Sequence, residues 1–200
     1  MMTRRIVFSG IGAGALSSVL VGAGTQQSHA AAGPRAGYFP NAVFQTQDGR
    51  KVKFYDDLIK GKLVVINMLL TECSDGICPA MTANLVQVQQ ALGSRVGRDI
   101  FMYSITLAPE HDTPPVLRAY AEQFGVKPGW TFLTGQPQDT EIIRRKLGFY
   151  DLDPQVDADV EQHTGLLRIG NEAYDRWCMV PALSSPRHIV STILGVYDSL

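Results

Sequence analysis

The stretch that decides the fold is "KLVVINMLLTECSDGICPAMTANLVQVQQALG", Lys62 to Gly93. It opens with an unbroken apolar run rich in β-branched residues, which predicts a strand from Lys62 to Leu70 buried on both faces of a sheet. A loop with two cysteines follows. After the loop, Pro79 suits the first position of a helix and Gly93 suits its end. This order of strand, loop and helix predicts one unit of an α/β sheet that carries two thiols at its edge.

Comparable signals lie on both sides of this unit. Upstream, "AVFQTQDGRKVKFYDDL" alternates apolar and polar residues around Asp48-Gly49, a pattern that predicts a β-hairpin. Downstream, the strands "DIFMYSITL" and "WTFLTG" are each followed by a helical pattern, "DTPPVLRAYAEQFG" and "DTEIIRRKLG". Asp112 or Thr113 suits the cap of the first of these helices. The sequence therefore continues as strand and helix pairs.

The last part of the chain predicts a second hairpin and a closing helix. The hairpin is "TGLLRIGNEAYDRWCMV", with its turn at Gly170-Asn171, and the helix is "SSPRHIVSTILGVYDSL", with Ser184 or Ser185 as its cap. An acidic stretch poor in helical signals, "FYDLDPQVDADVEQH", precedes the hairpin, and we expect a solvated surface loop there. The whole order predicts an α/β fold in which helices flank a central mixed sheet with an N-terminal β-hairpin.

Composition limits the classes of function. The 200 residues are 45% hydrophobic and carry a formal net charge of −1. This length and composition suit one domain with a full core. The charge balance and the lack of a basic stripe argue against nucleic acid as a partner.

The first thirty residues have the pattern of an export signal. Arg4 and Arg5 form a basic start, a Gly/Ala-rich apolar stretch follows, and small residues at Ser28 and Ala30 have the spacing that signal peptidase recognises. The paired arginines leave two routes open, the twin-arginine pathway and the general secretory one. We therefore predict a cleavable signal at 1–30, a single domain at 31–200, a periplasmic location, and no stable membrane span after cleavage.

Cys73 and Cys78 are the first candidates for chemistry. At the start of a helix that follows a buried strand, backbone amides and the helix dipole stabilise a thiolate. This setting favours an active dithiol over a structural disulfide, although disulfides also persist in exported proteins. A metal would need a third ligand, and two soft thiolates with an imidazole suit Cu(I) better than Zn(II).

The candidates for a third ligand include the four histidines of the chain. His29 lies in the predicted signal, whereas His111 and His188 precede or begin helices and are expected to be surface or capping residues. His163 directly precedes a strand that we expect beside the strand bearing the cysteines. A lone histidine is more often structural, so its position alone leaves two interpretations open for His163, a structural histidine and a metal ligand.

At this point four segments together resemble one known family. "GKLVVINMLLTECSDGICP" resembles the site region of the Sco/SenC family, and "SITLAPEHDTPPVLRAYAEQFG", "WTFLTG" and "QHTGLLRIGNEAYDRW" are similar to its later segments, in the same order. The resemblance runs from Tyr38 to the C-terminus. The chain departs from the family in one respect, because four residues separate Cys73 from Cys78 where the family has three.

The resemblance implies a thioredoxin-like fold and an exported, monomeric copper-binding factor for the assembly of cytochrome c oxidase or another copper enzyme. It implies a copper ion bound by Cys73, Cys78 and His163. The implied partners are a copper-accepting protein, such as an oxidase subunit, and a thiol reductant. The alternative is a thiol–disulfide oxidoreductase in which Cys73 and Cys78 are the catalytic pair. A peroxide-reducing enzyme is disfavoured because the loop has no arginine.

The remaining candidates are expected to be structural. Cys178, in a predicted strand, is expected to be a buried and inert thiol. Two interpretations remain open for Asp75, between the two cysteines. It either caps the following helix or tunes the pKa of the thiols. Four methionines that could suggest soft copper ligands have the spacing of core residues: Met68, Met81, Met102 and Met179.

Overall fold

The computed structural model describes residues 33–159 and 165–197. Over these two ranges, seven strands form one mixed sheet in the order β2-β1-β5-β4-β3-β6-β7, in which β3, β4 and β5 are parallel neighbours and the other pairs are antiparallel. The strands are β1 (Val43–Thr46), β2 (Lys51–Lys53), β3 (Leu63–Leu69), β4 (Ile100–Thr106), β5 (Trp130–Gly135), β6 (Leu166–Asn171) and β7 (Arg176–Pro181).

Within the residues that the structure describes, five α-helices accompany the sheet: α1 (Ile77–Leu92), α2 (Pro114–Gln123), α3 (Pro137–Leu147), α4 (Pro154–Asp157) and α5 (Pro186–Tyr197). A π-helical turn at Phe54–Ile59 and 3₁₀ turns at Gly93–Arg95 and Glu172–Tyr174 complete the regular structure. In the described part of the chain, none of the helices combines the length and apolar character needed to span a bilayer.

Strand β3 lies at the centre of the core because all seven of its residues are buried. Its alternating side chains enter two apolar layers, one on each face of the sheet. One layer packs against α1, α2 and α5, and the other against α3 and the Phe54–Ile59 turn. The prediction of an α/β fold with a mixed sheet covered on both faces is confirmed.

Several local predictions are confirmed as well. The first hairpin turns at Asp48-Gly49, where Gly49 has a φ of 78°. Helix α1 ends at Gly93. Helix α5 begins at Pro186, and the Oγ of Ser185 accepts a hydrogen bond from the His188 amide at 3.3 Å.

The predicted turn of the second hairpin at Gly170-Asn171 is wrong. Both residues belong to β6, and the chain reverses through the 3₁₀ turn at Glu172–Tyr174, with Asp175 in the left-handed region at φ 51°. Gly170 is required for packing, because a β-carbon there would stand 2.1 Å from the ring of Trp177. The glycine makes room for a packed indole.

The start of α1 also differs from the prediction. The helix begins at Ile77, directly after Gly76 in the left-handed conformation (φ 73°), so that Pro79 occupies its third position and not its first. Proline is tolerated there because the first-turn amides have no partner within the helix. As a result, Cys78 lies inside the first turn of the helix.

The acidic stretch before the second hairpin is more ordered than a solvated loop. Its residues 154–157 form α4, whose N-terminus is capped by Asp153 through the Gln155 amide. Asp157 accepts hydrogen bonds from Arg144 and Arg145 of α3. Residues 160–164 of this stretch lie outside the described residues.

Candidate functional site

The two cysteines flank the loop that joins β3 to α1. This loop leaves the carboxyl end of β3, and the left-handed Gly76 turns the chain into the helix. The Gly76 amide donates to the Cys73 carbonyl at 3.3 Å, which closes the loop on itself. The four intervening residues therefore form a tight turn that keeps both cysteines at the helix N-terminus.

The two cysteines are linked through the backbone. The Cys78 amide donates to Cys73 Sγ at 3.4 Å, and the Leu70 amide donates to Cys78 Sγ at 3.3 Å. Cys78 is fully buried, whereas Cys73 is partly exposed. Burial raises the pKa of the Cys78 thiol well above its ordinary value. The pair therefore combines an accessible thiol with a protected one.

Asp75 contacts both the start of α1 and the accessible thiol. Its Oδ1 accepts a hydrogen bond from the Ile77 amide at 2.8 Å, at the first residue of α1. The same oxygen accepts a hydrogen bond from the Cys73 thiol at 2.8 Å. One carboxylate thus supports the helix start and contacts the accessible thiol.

The sequence reasoning missed a buried carboxylate beside this loop. Asp112 is only 1% exposed, and it accepts hydrogen bonds from the amide of Thr71 at 3.2 Å and from its hydroxyl at 2.5 Å. The Thr106 hydroxyl, at the end of β4, donates to the same carboxylate at 2.5 Å. Of the two residues predicted to cap α2, Thr113 occupies the N-cap position, although its side chain makes no capping bond, and Asp112 does not. Adjacent parallel strands that end at one edge of a sheet were the signal that could have found this contact.

His111 extends the same network toward the cysteines. Its Nδ1 lies 2.9 Å from Asp112 Oδ1, and its Nε2 lies 3.4 Å from an oxygen of Glu72, the residue before Cys73. Its hydrogen bond to Asp112 and the negative charge of Glu72 raise the pKa of the imidazole. His111 is thus exposed, as predicted, but its contacts with Asp112 and Glu72 were not predicted.

The predicted third ligand, His163, lies outside the described residues. The strand that follows it, β6, pairs with β3 as predicted, with Leu167 opposite Asn67. Gly165 lies beside Met81 of α1, since a β-carbon there would stand 3.9 Å from Met81 Sδ. Within residues 33–159 and 165–197, no group of three or more histidine, cysteine, aspartate or glutamate side chains is arranged to hold a metal ion.

The other sequence candidates lie in the core, in β7 and on α5. Met68, Met81 and Met102 are buried in the core, as predicted, and Met179 is partly buried against it. Cys178 lies in the edge strand β7 opposite Ile169 and is partly exposed, contrary to the prediction of a buried thiol. His188 is exposed on α5.

Comparison with known proteins points to one family. The family model described as SCO1/SenC matches residues 36–196. A SCO2-like protein of Rickettsia felis is 29% identical over 159 residues, which cover 76% of this chain and 74% of that protein.

Solved structures share the fold at lower sequence identity. Arabidopsis thaliana ScoI, solved with copper bound, superposes with a TM-score of 0.62 at 19% identity, over 85% of this chain and all of that one. BsSco superposes with a TM-score of 0.62 at 22% identity, over 81% of this chain and 95% of that one. BsSco has a disulfide switch and is a member of the Sco family of cytochrome c oxidase assembly proteins. These similarities confirm the predicted thioredoxin-like fold.

Proposed function

Since the chain belongs to the SCO1/SenC family, we propose that it is a copper-binding metallochaperone whose ligands are Cys73, Cys78 and His163. The observation that carries this proposal is the placement of both cysteine side chains at one helix N-terminus, with the Cys78 amide 3.4 Å from Cys73 Sγ. Thiolate sulfur and imidazole nitrogen are ligands that suit Cu(I). Copper bound to the fold relative from Arabidopsis thaliana supports the same choice of metal.

Binding by two thiols releases protons, because the thiolate is the metal ligand. The burial that raises the Cys78 pKa makes its proton hard to remove in the free protein, so metal binding is expected to strengthen as pH rises. A disulfide between the two sulfurs has no thiolate to offer. Reduction of the pair by an external thiol is therefore a requirement for loading.

We further propose that the copper passes to an acceptor protein by ligand exchange, and that a subunit of cytochrome c oxidase is this acceptor. The description of BsSco as a member of a family of cytochrome c oxidase assembly proteins supports this choice. We place the protein in the periplasm as a monomer, with residues 1–30 as a cleaved signal and 31–200 as the working domain. Mass spectrometry of the protein from the cell envelope tests cleavage, and a mature chain that still starts at Met1 would contradict it.

Anaerobic titration of the reduced protein with Cu(I), in competition with a chelator, tests the copper site. One tightly bound equivalent is expected, and His163→Ala should weaken binding by at least about tenfold, which is 1.4 kcal/mol. His188→Ala is the matched control because that histidine is exposed on α5. Less than one bound equivalent of Cu(I), or equal Cu(I) affinities in the two histidine variants, would contradict the proposed ligand set.

A second candidate function, thiol–disulfide oxidoreductase, is favoured by the unequal exposure of the two thiols. The accessible Cys73 would attack a substrate disulfide, and Cys78 would resolve the mixed disulfide and leave a protein disulfide and two substrate thiols. A single-cysteine trap distinguishes the functions. If Cys78→Ala accumulates mixed disulfides with envelope proteins, Cys73→Ala does not, and wild type binds Cu(I) weakly, the enzyme function replaces the chaperone.

A further inference from the structure

We propose that Asp112 is a positioning residue for the dithiol site and that, together with His111, it fixes the segment of the loop that carries Cys73. This inference rests on the proposed function, because it assigns a role in metal or disulfide chemistry that uses Cys73 and Cys78.

The Asp112 carboxylate accepts hydrogen bonds from the cysteine loop and from the end of β4, and not from helix α2, which follows it. Two of its bonds come from Thr71, two residues before Cys73, and one from Thr106. Helix α2 begins two residues later without a side-chain cap. A buried carboxylate is unfavourable unless donors surround it. Here the donors belong to β4 and to the loop, so the carboxylate joins the ends of two parallel strands.

The residue next to Cys73 is tied to the same point. Glu72 lies 3.4 Å from His111 Nε2, while His111 Nδ1 contacts Asp112. Both residues before Cys73 therefore contact the entrance to α2. On the other side of Cys73, Asp75 binds the Ile77 amide. Cys73 is thus held from both directions, although its own side chain is partly exposed.

Such support matters because reactive groups tolerate little displacement. A shift of about 1 Å in a supporting residue can cost about a hundredfold in rate. Loss of a group that orients a metal ligand typically lowers metal affinity by about 10–100-fold. Asp112 does not touch the thiols, so its effect would reach them through Thr71 and Glu72.

The chain supplies a matched control carboxylate, Glu172. It is also 1% exposed and accepts three hydrogen bonds, from the Tyr55 hydroxyl at 2.8 Å and from the Gly61 and Arg35 amides at 2.7 and 3.2 Å. Its own amide bonds the Lys62 carbonyl, beside the first residue of β3. It therefore lies at the end of β3 opposite to the cysteine loop.

The test compares Asp112→Asn with Glu172→Gln in the full-length chain by Cu(I) affinity, alkylation rate of Cys73 and melting temperature. We expect both variants to melt earlier, but only Asp112→Asn to lose about 10–100-fold in Cu(I) affinity and to change the Cys73 alkylation rate. Unchanged copper binding and alkylation in a folded Asp112→Asn would overturn the proposal. Equal losses in both variants would reduce the role to stability and overturn it as well.

A second pair of variants decides the matter if Asp112→Asn does not fold. Thr71→Val removes only the hydroxyl that donates to Asp112, and Thr71→Ser keeps it. A loss of affinity and a changed alkylation rate in Thr71→Val, restored in Thr71→Ser, support the proposal, while wild-type behaviour of Thr71→Val contradicts it. If wild type itself binds no Cu(I), the copper function fails, and the alkylation rates alone decide the positioning role.

Discussion

At the scale of single residues, two thiols five positions apart lie in different surroundings. Cys78 is enclosed by the core and by the Leu70 amide, and its pKa is raised by burial. Cys73 reaches solvent and contacts Asp75. Their division into an accessible and a protected thiol is a property of the folded chain, since the two residues are chemically identical in the sequence.

Alkylation of the reduced protein by iodoacetamide at pH 8 should therefore modify Cys73 at least about ten times faster than Cys78, because only an accessible thiolate reacts. Site-resolved mass spectrometry measures the two rates and separates them from that of Cys178. The difference should vanish in a denaturant. Equal rates in the native protein would contradict the burial of Cys78.

A second prediction concerns the charge of His111. Its pKa should lie above the ordinary value of about 6.5, because Asp112 and Glu72 favour the imidazolium. The stabilisation of the folded state by this interaction is fully present at a pH below the pKa of the unfolded state. It is lost as the pH rises through the pKa of the folded state.

Titration of the imidazole by NMR checks this, with Asp112→Asn and Glu72→Gln as comparisons. The larger downward shift in pKa should come from Asp112→Asn, since the hydrogen bond to Asp112 is the larger cause. A wild-type value at or below 6.5 would contradict the contact geometry.

At the scale of secondary structure, the cysteine loop depends on one backbone conformation. Gly76 has a φ of 73°, and a β-carbon there would meet no atom within 4 Å. Replacement by alanine therefore introduces backbone strain without a steric clash.

Gly76→Ala should lower the free energy of unfolding by about 1 kcal/mol, because the left-handed region disfavours residues with a β-carbon. Chemical denaturation measures it. Gly37→Ala is the matched control, since Gly37 also has open space around it but lacks a positive φ. The same loss in both variants would show that the left-handed turn is not the cause.

Helix α4 depends on an ion pair with α3. Asp157, whose side chain is 6% exposed, accepts from Arg144 at 2.6 and 2.9 Å and from Arg145 at 2.7 Å. The Arg144 hydrogen bonds hold the pKa of this carboxyl well below its ordinary range. A lowered pKa contributes stability above the unfolded value of about 3.9, and that stability is lost as the pH falls through the folded pKa.

Asp157→Asn should lower the free energy of unfolding at pH 7 by about 1–2 kcal/mol, and the difference from wild type should shrink below about pH 4. Urea denaturation across this pH range measures both effects. Glu122→Gln, on the exposed face of α2, should change stability much less. A difference that stays constant as the pH falls would contradict the ion pair as its origin.

At the scale of the whole molecule, the sheet brings the site together. The carboxyl ends of β3 and β4 are neighbours, with Leu69 opposite Thr106, and the start of β6 lies beside the end of β3. Three segments that are far apart in the chain therefore meet at one edge. A metal that bridges the cysteine loop to the segment before β6 would stabilise the folded state and not the unfolded state, because these segments are brought together only by folding.

Cu(I) at about 100 times its dissociation constant should thus stabilise the reduced protein by about 2.7 kcal/mol, or roughly 5–10 °C in melting temperature for a domain of this size. Differential scanning calorimetry under anaerobic conditions measures the shift. The shift should persist in Cys178→Ser and disappear in Cys73→Ser. Retention in Cys73→Ser would contradict the proposed role of Cys73 as a ligand.

Local patterns were sufficient where one segment decides its own structure. The apolar run of β3 can only be buried on both faces, and Gly49 and Gly93 fit backbone positions that their neighbours set. The turn at Gly170-Asn171 was predicted wrongly because glycine also occurs where another side chain needs space. Trp177 occupies that space, and no local pattern records it.

By itself the sequence determined the order of β3, cysteine loop and α1, the two thiols at the helix start, and the mixed α/β architecture. These depend on apolar periodicity and backbone preferences within about 30 residues. Only the tertiary structure decided that Asp112 supports the loop instead of capping α2, that Cys73 is open while Cys78 is closed, and that Asp157 pairs with Arg144. The physical reason is that hydrogen bonds, burial and ion pairs depend on atoms brought together from distant positions, which a periodic pattern along the chain does not encode.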